Sequence, residues 1–595
     1  MPPIEINRYP SMRARPWRFL RVAMRRQRGA LAVLAAIWIG AAIAALGVID
    51  VGNVYLVRRQ LQRTADMASV AAAQTVGMAG GCATATASAQ QGAAQNGYAG
   101  ADPVSVACGR WTMAGGTVQL DTSGATPLNA VQVTVTQTVR HFFIGPARDV
   151  QAVATAKAVD TASFSLSTSL ATLSGGAING LLGALLGTNV SIDIATWQAL
   201  ASTSVRLGDL ATQLGVASMN ELLGEHTTVA DLAGAMATVV TRNGTASPGV
   251  SAALSSIQAA ANGGPRLALG DRTGAPGLLS IGLVDKQAAA SATISALDAL
   301  VVSAELAHGT SALDLGVALD PSSIPGVTLP LGLTAKAVIL EPPVIAVGEA
   351  GTDSNGNYRT SAHAAQVRVY LDLHVSLAPL ATVDLPIHVE GANGTAVLTQ
   401  TQCSSAKSTS TSTILVRQTG VASVCIGADA ASNLTNTTGL PQCQQPAKLA
   451  TLQIPLVLPI SVDVNAGTAS PPSGLNLALQ VVKPATLTFN SVAGDGDDFQ
   501  SADANGLGSA ASGLLGQLAA QLPGALFLSV NGVAVTPQVA SVAQPLLQLL
   551  ISALQPVLSG LDRLLVPLLQ LLGVQIGVST VHAISLSCSD AQLVN

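Results

Sequence analysis

The 595-residue sequence has few aromatic and few charged side chains. Aromatic residues make up 3% of the chain and charged residues 10%, whereas roughly a quarter of residues are charged in an ordinary soluble domain. The hydrophobic fraction of 49% is high enough to build a core, which excludes a largely disordered chain. At about 100–200 residues per domain, the length predicts two to four domains.

Sequence patterns that mark many enzymes are also missing. The chain contains no Gly-Lys dipeptide, no His-Glu-x-x-His motif and no Gly-x-Ser-x-Gly motif. These absences exclude a P-loop, this zinc-protease signature and a nucleophile elbow. No Cys-x-x-Cys pair occurs, and no histidine stands at metal-ligand spacing from a cysteine, so a zinc site is not expected. We therefore predict that the chain is not an enzyme and holds no cofactor or metal.

The charges are unevenly distributed along the chain. Of 28 basic and 32 acidic residues, eight arginines and Glu5 lie within residues 1–28, which leaves 20 basic and 31 acidic residues after Arg28. A basic head on an acidic body argues against nucleic-acid binding, because the positive charge should then lie on the folded domain. The same distribution is typical of a membrane protein whose basic segment stays in the cytoplasm.

A long apolar segment follows the basic residues. Residues 29–49 carry no charge and would form a helix of about 31 Å, the thickness of a bilayer core. A cleaved signal peptide usually has an apolar region of about 7–15 residues, so the length favours a retained anchor, although Ala42-Ile43-Ala44 could mimic a cleavage site. No proline interrupts the sequence from Gly29 to Thr75. This predicts one continuous helix of about 45 residues, whose second half rises out of the membrane.

Small residues recur every four positions within the span, at Ala32, Ala36, Gly40 and Ala44. This spacing lets another helix approach closely and predicts a transmembrane packing face. The alternative is an alanine-rich, lipid-facing helix with accidental spacing, and the composition leaves both interpretations open.

The segment that surrounds the span has several recognisable elements. They are Arg-x-x-Gly before the span, Asp50 where it ends, YLVRRQLQ at residues 55–62, and the sequence TAD at residues 64–66 before an alanine-rich helix. Further along, residues 129–159 predict a strand, the Phe142-Phe143 pair and a second strand of small residues. Over about residues 22–160, the sequence resembles the N-terminal region of TadG-like proteins of the tight-adherence (Flp, type IVc) pilus assembly system.

The resemblance implies a single-pass protein of the bacterial inner membrane, with a cytoplasmic N-terminus and a periplasmic body. Its implied partners are the lipid bilayer and other pilus-assembly proteins. Two family features are missing. Prepilin peptidase cleavage after Gly29 would need a glutamate where Leu34 stands. The metal site of a von Willebrand A-type domain would need Asp-x-Ser-x-Ser, which the sequences after Asp121 and Asp320 do not provide.

Six cysteines are consistent with an exported body. They are Cys82, Cys108, Cys403, Cys425, Cys443 and Cys588. An even number in an oxidising compartment predicts disulfides, with Cys82 and Cys108 as the natural first pair. The other four allow three connectivities. Strand-like sequences before Cys403 and Cys588 favour that pair and leave Cys425 with Cys443, without excluding the alternatives.

The body changes texture along its length. After a TadG-like module over residues 50–160, residues 161–328 show helical Leu/Ala spacing, and Ser191 and Asp193 are N-cap candidates. Residues 329–500 alternate with a period of two, as in residues 367–375, 383–389 and 454–464, which predicts an antiparallel, sandwich-like β-domain. The fold class expected is α+β.

The C-terminal region, residues 501–595, predicts Leu-rich helices and a closing strand. Pro545, Pro556 and Pro567 recur every eleven residues and predict short kinked helices rather than one rod. A helical hairpin over the sheet is the preferred interpretation of residues 545–578. A second membrane segment is the alternative, although Asp562 and Arg563 would make it costly.

Two groups of polar residues are weak candidates for sites. The acidic run of Asp495, Asp497, Asp498 and Asp503 could supply oxygen ligands, but it lacks the order of an EF-hand, so a solvated loop is preferred. His374 and His388 fall on the polar face of predicted strands and are expected to be solvated.

The sequence as a whole favours a structural role over catalysis. The leading hypothesis is a membrane-anchored assembly component of a tight-adherence pilus or its secretion apparatus, which acts by anchoring and protein contacts. The alternative is an envelope-anchored module that binds a polysaccharide or other ligand, which the low aromatic content disfavours.

Overall fold

The structure is a computed structural model that describes much of the chain after Gln27. The described residues are 28–100, 102–114, 117–124, 127–143, 145–166, 175–244, 247–272, 274–314, 331–353, 355–377, 381–391, 394–404, 406–418, 422–435, 442–454, 460–479, 484–503, 514–531, 533–535, 544, 545, 547, 548, 550–552, 554, 555, 572 and 578–594. Residues 1–27 of the basic segment, Asp320 and most of residues 545–578 lie outside them.

The chain divides into two compact units. The first unit, which is called the anchoring unit after the role expected from the sequence, contains the described residues of 1–63, 100–103 and 135–152. The body contains those of 64–99, 104–134 and 153–595.

Ten α-helices have defined bounds within the described residues, and residues 544, 545, 547, 548, 550–552, 554 and 555 are helical as well. The ten are α1 (Arg28–Val76), α2 (Cys82–Gln95), α3 (Gly175–Leu186), α4 (Ile194–Ser202), α5 (Leu207–Gln213), α6 (Met219–Gly224), α7 (Val229–Asn243), α8 (Pro248–Ala260), α9 (Ala296–His308) and α10 (Leu514–Ala525). The 49 residues of α1 confirm the continuous helix expected from the absence of proline. The N-cap expected at Asp193 is also confirmed, because its carboxylate accepts a hydrogen bond from the Thr196 amide at 2.9 Å.

The described strands number twenty-eight. They are β1 (Ser105–Ala114), β2 (Thr117–Asp121), β3 (Ala130–Val139), β4 (Arg148–Leu166), β5 (Ser204–Arg206), β6 (His226–Thr228), β7 (Arg266–Ala268), β8 (Leu279–Gly282), β9 (Thr293–Ser295), β10 (Ala312–Asp314), β11 (Leu331–Glu341), β12 (Ile345–Gly348), β13 (Ser361–His363), β14 (Gln366–Leu377), β15 (Ala381–Gly391), β16 (Thr395–Gln402), β17 (Thr411–Gln418), β18 (Ala422–Ile426), β19 (Ala447–Ile454), β20 (Ile460–Ala466), β21 (Thr468–Ala469), β22 (Pro472–Ser473), β23 (Leu475–Leu479), β24 (Ala485–Asn490), β25 (Phe499–Asp503), β26 (Leu526–Val530), β27 (Val533–Ala534) and β28 (Val578–Val594).

An eight-stranded sheet joins distant parts of the sequence. Its main order is β2-β1-β3-β4-β12-β8, and β28 pairs with both β4 and β25. Phe164 of β4 is in register with Ala346 of β12 and with Ala583 of β28, so β4 lies between these strands. The β12–β8 pair is parallel, whereas β4 is antiparallel to β12 and to β28.

Three further sheets have strand orders β10-β11-β14-β15-β18-β23, β13-β16-β17-β24 and β19-β20-β26-β27. The period-two prediction for residues 367–375 and 383–389 is confirmed, since β14 and β15 pair along their length and bury alternate valines, leucines and isoleucines. One large core includes apolar residues of α3–α9, of β14 and β15, and of β19 and β20. Helices and antiparallel sheets together confirm the α+β class.

The single strand expected over residues 454–464 is wrong. β19 ends at Ile454, β20 begins at Ile460, and these two residues are paired across an antiparallel hairpin. Alternation of apolar residues continues through the connection and therefore conceals it. The missed signal is the pair Pro455 and Pro459, because proline lacks the amide that a strand interior needs.

The expectation that cysteines form disulfides is confirmed. The body contains Cys82–Cys108, Cys403–Cys588 and Cys425–Cys443, with Cα–Cα distances of 5.8, 5.8 and 5.7 Å. The second bond joins the end of the β16 strand region to β28 across 185 residues of sequence.

Candidate functional site

The first part of α1 has the length and composition of a membrane span. Among the described residues, the helix from Gly29 is the one segment long and apolar enough to cross a bilayer, and its apolar window is not buried by the rest of the protein. Leu31, Ile37 and Trp38 are among the exposed apolar side chains. An unburied apolar helix of this length finds its favourable environment in lipid.

Ala32, Ala36, Gly40 and Ala44 lie on this exposed part of the helix. A Cβ added at Gly40 would meet no atom within 4 Å. The surface is therefore open to lipid or to another helix, and its role as a packing face stays a prediction.

Asp50 marks the point where the apolar segment ends. Its side chain is only 2% exposed although it lies near the middle of the long helix α1. Its Oδ1 atom accepts a hydrogen bond from the Phe142 amide at 2.7 Å, and its two carboxylate oxygens lie 3.3 and 3.2 Å from the Phe143 amide nitrogen. Main-chain N–H groups that converge on a carboxylate make strong, charge-assisted hydrogen bonds. Asp50 thereby joins α1 to the connection between β3 and β4.

The described residues of this connection, 140–143 and 145–147, are called the hairpin tip. Beside it, the Thr138 hydroxyl donates to the Asp149 carboxylate at 2.6 Å, and His141 Nδ1 lies 2.7 Å from the Pro146 carbonyl oxygen. Gly145 has a φ of 111°, a conformation that only glycine adopts without strain. These local bonds hold the turn in the shape that directs two consecutive amides at Asp50.

The two aromatic side chains of the hairpin tip are exposed even though the amides of the same residues bind Asp50. Phe142 is 67% and Phe143 55% exposed, and their ring centroids are 6.4 Å apart. Arg140 and Arg148 flank the pair and are exposed. Neither arginine forms an ion pair with any residue that the structure describes. The tip and the first residue of β4 therefore combine two exposed aromatic rings with two exposed cations.

The α1 residues after Asp50 continue this pattern. Tyr55 and Leu56 are exposed apolar side chains, and Arg58 and Arg59 are exposed cations one turn further along. Leu61 is buried instead. The helix thus carries both apolar and basic groups just beyond the predicted span, as membrane-proximal segments commonly do.

A second candidate site is a polar groove in the body, with a volume of about 480 Å³. Residues from β9, β17 and β28 contribute to its walls, as do the loops that carry Ser404 and Ser491. Its charged lining residues are Lys407 and Asp498, and no aromatic ring appears among its described lining residues. A wall of hydroxyl groups suits a small polar ligand, but it offers no stacking surface.

The acidic run forms a loop beside this groove. Ligand oxygens of Asp495, Asp497 and Asp498 lie within 4.8 Å of one another. Burial raises the pKa of Asp497 and Asp498, whereas a hydrogen bond from Asp497 is the main cause that lowers the pKa of Asp495. Much of the hydrogen-bonding capacity serves the loop itself, since Gly494 and Asn490 amides donate to Asp498 and Asp497. The solvated-loop interpretation is retained for these three residues, and Asp503 is the last residue of β25.

His374 and His388 lie in different surroundings. His374 is about half exposed, and its hydrogen bond with Asp384 raises its pKa. The expectation that His388 is solvated is wrong, because its side chain is fully buried. Burial, followed by the charge of Arg368, lowers the pKa of His388 to about 4. The polar strand face at this point is covered by the segment that the Cys425–Cys443 bond closes.

A buried serine, aspartate and histidine also contact one another in the body, although no sequence motif predicts this. Asp298 Oδ2 accepts a hydrogen bond from the Ser165 hydroxyl at 2.6 Å and lies 2.8 Å from His582 Nδ1. The His582 ring stacks on Phe499 with centroids 4.0 Å apart. A nucleophilic serine would have to bond to the histidine, whereas Ser165 bonds to the aspartate. These residues therefore link β4, α9 and β28 as a polar network.

Family models match three successive parts of the chain. The model described as Flp pilus-assembly TadE/G-like matches residues 29–75. The model described as Tad-like Flp pilus-assembly matches residues 71–158. A domain of unknown function (DUF8293) matches residues 174–306. No curated protein and no solved structure matches the chain. The first two matches include α1, Asp50 and the hairpin tip.

Proposed function

We propose that this chain, which carries the N-terminal region of a TadG-like Flp pilus-assembly protein, is an inner-membrane anchor that supports assembly of the pilus. In this proposal α1 crosses the bacterial inner membrane with its basic end in the cytoplasm, and the body lies in the periplasm. The protein acts by anchoring and by contacts with other assembly proteins rather than by catalysis.

The observation that carries this proposal is that Asp50, which the hairpin tip binds, stands where the apolar segment of α1 ends. Residues 29–49 match the thickness of a bilayer core, and at residue 50 the chain introduces an acid that the hairpin tip binds through two amides. A soluble protein has no reason to leave the preceding apolar side chains open to water. The two matched pilus-assembly models include both structural parts of this junction.

The proposed orientation has two supports. Arginines before the span greatly outnumber Arg58, Arg59 and Arg63 after it, which favours a cytoplasmic N-terminus. Three disulfides lie in the body, and disulfides persist in the periplasm but are rare in the cytosol.

The biological role is tested by deleting the gene in its source bacterium and restoring it on a plasmid. We expect loss of surface pili and of adherence, both recovered by the intact gene. A deletion strain that makes normal pili and adheres normally would contradict the pilus role. Restoration with a variant that lacks residues 29–49 is the matched control for anchoring.

The orientation is tested separately with protease added to spheroplasts. We expect the body to be digested and a fragment that contains the N-terminal segment to be protected. An intact body, with a known periplasmic protein digested in the same sample, would overturn the proposed orientation without affecting the pilus role.

The alternative, a ligand- or polysaccharide-binding module, receives support from the hydroxyl-lined groove. Ligand pockets generally use apolar and aromatic surface to bind and a few polar groups to orient the ligand. The described lining of this groove has no aromatic ring, so the assembly role is preferred.

A further inference from the structure

We propose that the hairpin tip is a second membrane contact, at which Phe142 and Phe143 enter the headgroup region while Arg140 and Arg148 bind anionic phospholipids. This proposal rests on the proposed function in one respect, namely that α1 spans the bilayer. It adds a lipid-binding surface that lies about ninety residues further along the sequence than the span.

The position of the tip follows from its bonds to Asp50. A helix over residues 29–49 covers about 31 Å, so Asp50 lies where α1 leaves the hydrocarbon. The Phe142 nitrogen is 2.7 Å from Asp50 Oδ1, which fixes the aromatic pair at the same depth. The headgroup region adds about 5–8 Å on each side of the hydrocarbon. Both rings are therefore within reach of lipid.

The exposure of the rings indicates that this position is used. Phe142 and Phe143 are more than half exposed, whereas Phe164 and Phe489 in the body are buried. Aromatic rings gain most at the boundary between headgroups and acyl chains, where apolar surface leaves water without entering the hydrocarbon fully. The main chain of the pair is already satisfied by Asp50, so insertion would not expose unpaired amides.

The charges around the tip specify the lipid class. Arg140 and Arg148 are exposed beside the rings, and Arg58 and Arg59 follow on α1 about 12 Å beyond Asp50. Of the nearby carboxylates, Asp50 is buried against the tip amides and Asp149 accepts from Thr138, so these two acids are outnumbered by the four arginines. Exposed arginines beside a bilayer are attracted to anionic headgroups. Phosphatidylglycerol-type lipids are thus the expected partner.

The test uses the full chain with fluorine-labelled phenylalanine in lipid nanodiscs. The chain has seven phenylalanines, and the variants Phe142→Leu and Phe143→Leu assign the two tip resonances. A gadolinium chelate attached to lipid headgroups should broaden both resonances beyond detection, whereas the same amount of soluble chelate should broaden them less. The difference should be larger in discs that contain phosphatidylglycerol than in phosphatidylcholine alone.

Two outcomes would overturn the proposal. One is that the tip resonances stay sharp with the lipid-attached chelate. The other is that they are protected from the soluble chelate without being broadened by the lipid-attached one, which would indicate that a protein surface covers the tip. The variant Arg140→Gln/Arg148→Gln should weaken the preference for phosphatidylglycerol, since Arg58 and Arg59 remain, and an unchanged preference would refute the role of Arg140 and Arg148.

Insertion of α1 is measured in the same discs, so that its failure is recognised. Trp38 fluorescence should be quenched by bromine atoms on the acyl chains, and this quenching should survive in Phe142→Ser/Phe143→Ser. If Trp38 is not quenched in the unmodified protein, the proposal that α1 spans the bilayer is refuted. Quenched Trp38 together with sharp tip resonances would refute only the second contact.

Discussion

The anchoring unit and the body are stabilised in different ways. In the anchoring unit, the Asp50 carboxylate accepts hydrogen bonds from the amides of Phe142 and Phe143. The sequence of this unit contains no cysteine. The body has an extended apolar core and three disulfides. One substitution can therefore remove most of the polar bonds that hold the hairpin tip to α1. In the body, each substitution removes only a part of the stability that the large core provides.

The largest expected effect comes from removing a disulfide of the body. The variant Cys403→Ser/Cys588→Ser opens a loop of 185 residues, and loop-closure entropy predicts a loss of about 5 kcal/mol in the free energy of unfolding of the body. Cys425→Ser/Cys443→Ser, with its separation of 18 residues, should cost about 3 kcal/mol on the same basis. Denaturant unfolding of the protein in detergent measures both.

The exchange protection of the Phe142 and Phe143 amides is the control for these cysteine variants. It should stay unchanged, because the anchoring unit has no disulfide. Equal losses in both units would show that they are not separately stabilised.

The second prediction concerns pH and the buried His388. Because its pKa is lowered to about 4 in the folded protein and is about 6.5 in an unfolded chain, stability is full above pH 6.5 and falls between 6.5 and 4. The loss amounts to roughly 3 kcal/mol over this window. His388→Gln should remove that part of the slope.

His374→Gln is the matched control for the histidine prediction. The pKa of His374 is raised by its hydrogen bond with Asp384, so its contribution has the opposite sign. It is present below the unfolded pKa and is lost as the pH rises through the folded one. The partly exposed pair should contribute less than about 1 kcal/mol. A slope unaffected by His388→Gln would refute the assignment.

The third prediction concerns the hydrogen bonds between Asp50 and the hairpin tip. Asp50→Ala removes a charged acceptor from two amides, which should cost about 2 kcal/mol locally and lower the exchange protection of the Phe142 and Phe143 amides about thirtyfold. Asp149→Ala, on the same hairpin but bonded only to a threonine hydroxyl among the contacts described above, should change that protection little. Similar effects from the two variants would mean that Asp50 is not special.

The smallest expected effect concerns Glu305 in α9, whose carboxyl oxygens are buried without a partner in the described structure. Burial raises its pKa well above the usual value. Stability is then full below the unfolded pKa of about 4.5 and is lost as the pH rises toward the folded pKa. Glu305→Gln should have little effect at pH 4 and stabilise the body by at least about 1 kcal/mol at pH 8. An equal change at both pH values would rule out titration as the cause.

The elements of the fold could be predicted where one residue pattern dominates. The absence of proline predicted α1, and strict alternation predicted β14 and β15. Sequence patterns gave wrong predictions where another segment of the chain covers a strand face or where a turn interrupts a strand. His388 alternates with apolar residues as a surface residue would, yet the segment around the Cys425–Cys443 bond covers it.

The junction at Asp50 was only partly accessible from sequence. Asp50 and the Phe142-Phe143 pair are visible as separate features of a family resemblance. Their contact is not, because the groups that bind Asp50 are main-chain amides 92 and 93 residues away, and every non-proline residue carries such an amide. The Ser165–Asp298–His582 network has no sequence signal for a different reason, because its three side chains are far apart along the chain and form no motif.

The pairing of β4 with β28 has a consequence for the biogenesis of the protein. Ser163 and Ser585, which lie on these two strands, are separated by 422 residues of sequence. While the chain is being synthesised, this edge of β4 has to wait for β28 with its amides and carbonyls unpaired. Unpaired edges and late, long-range contacts slow folding and invite aggregation. We therefore expect the body to be most prone to aggregation before β28 has paired with β4.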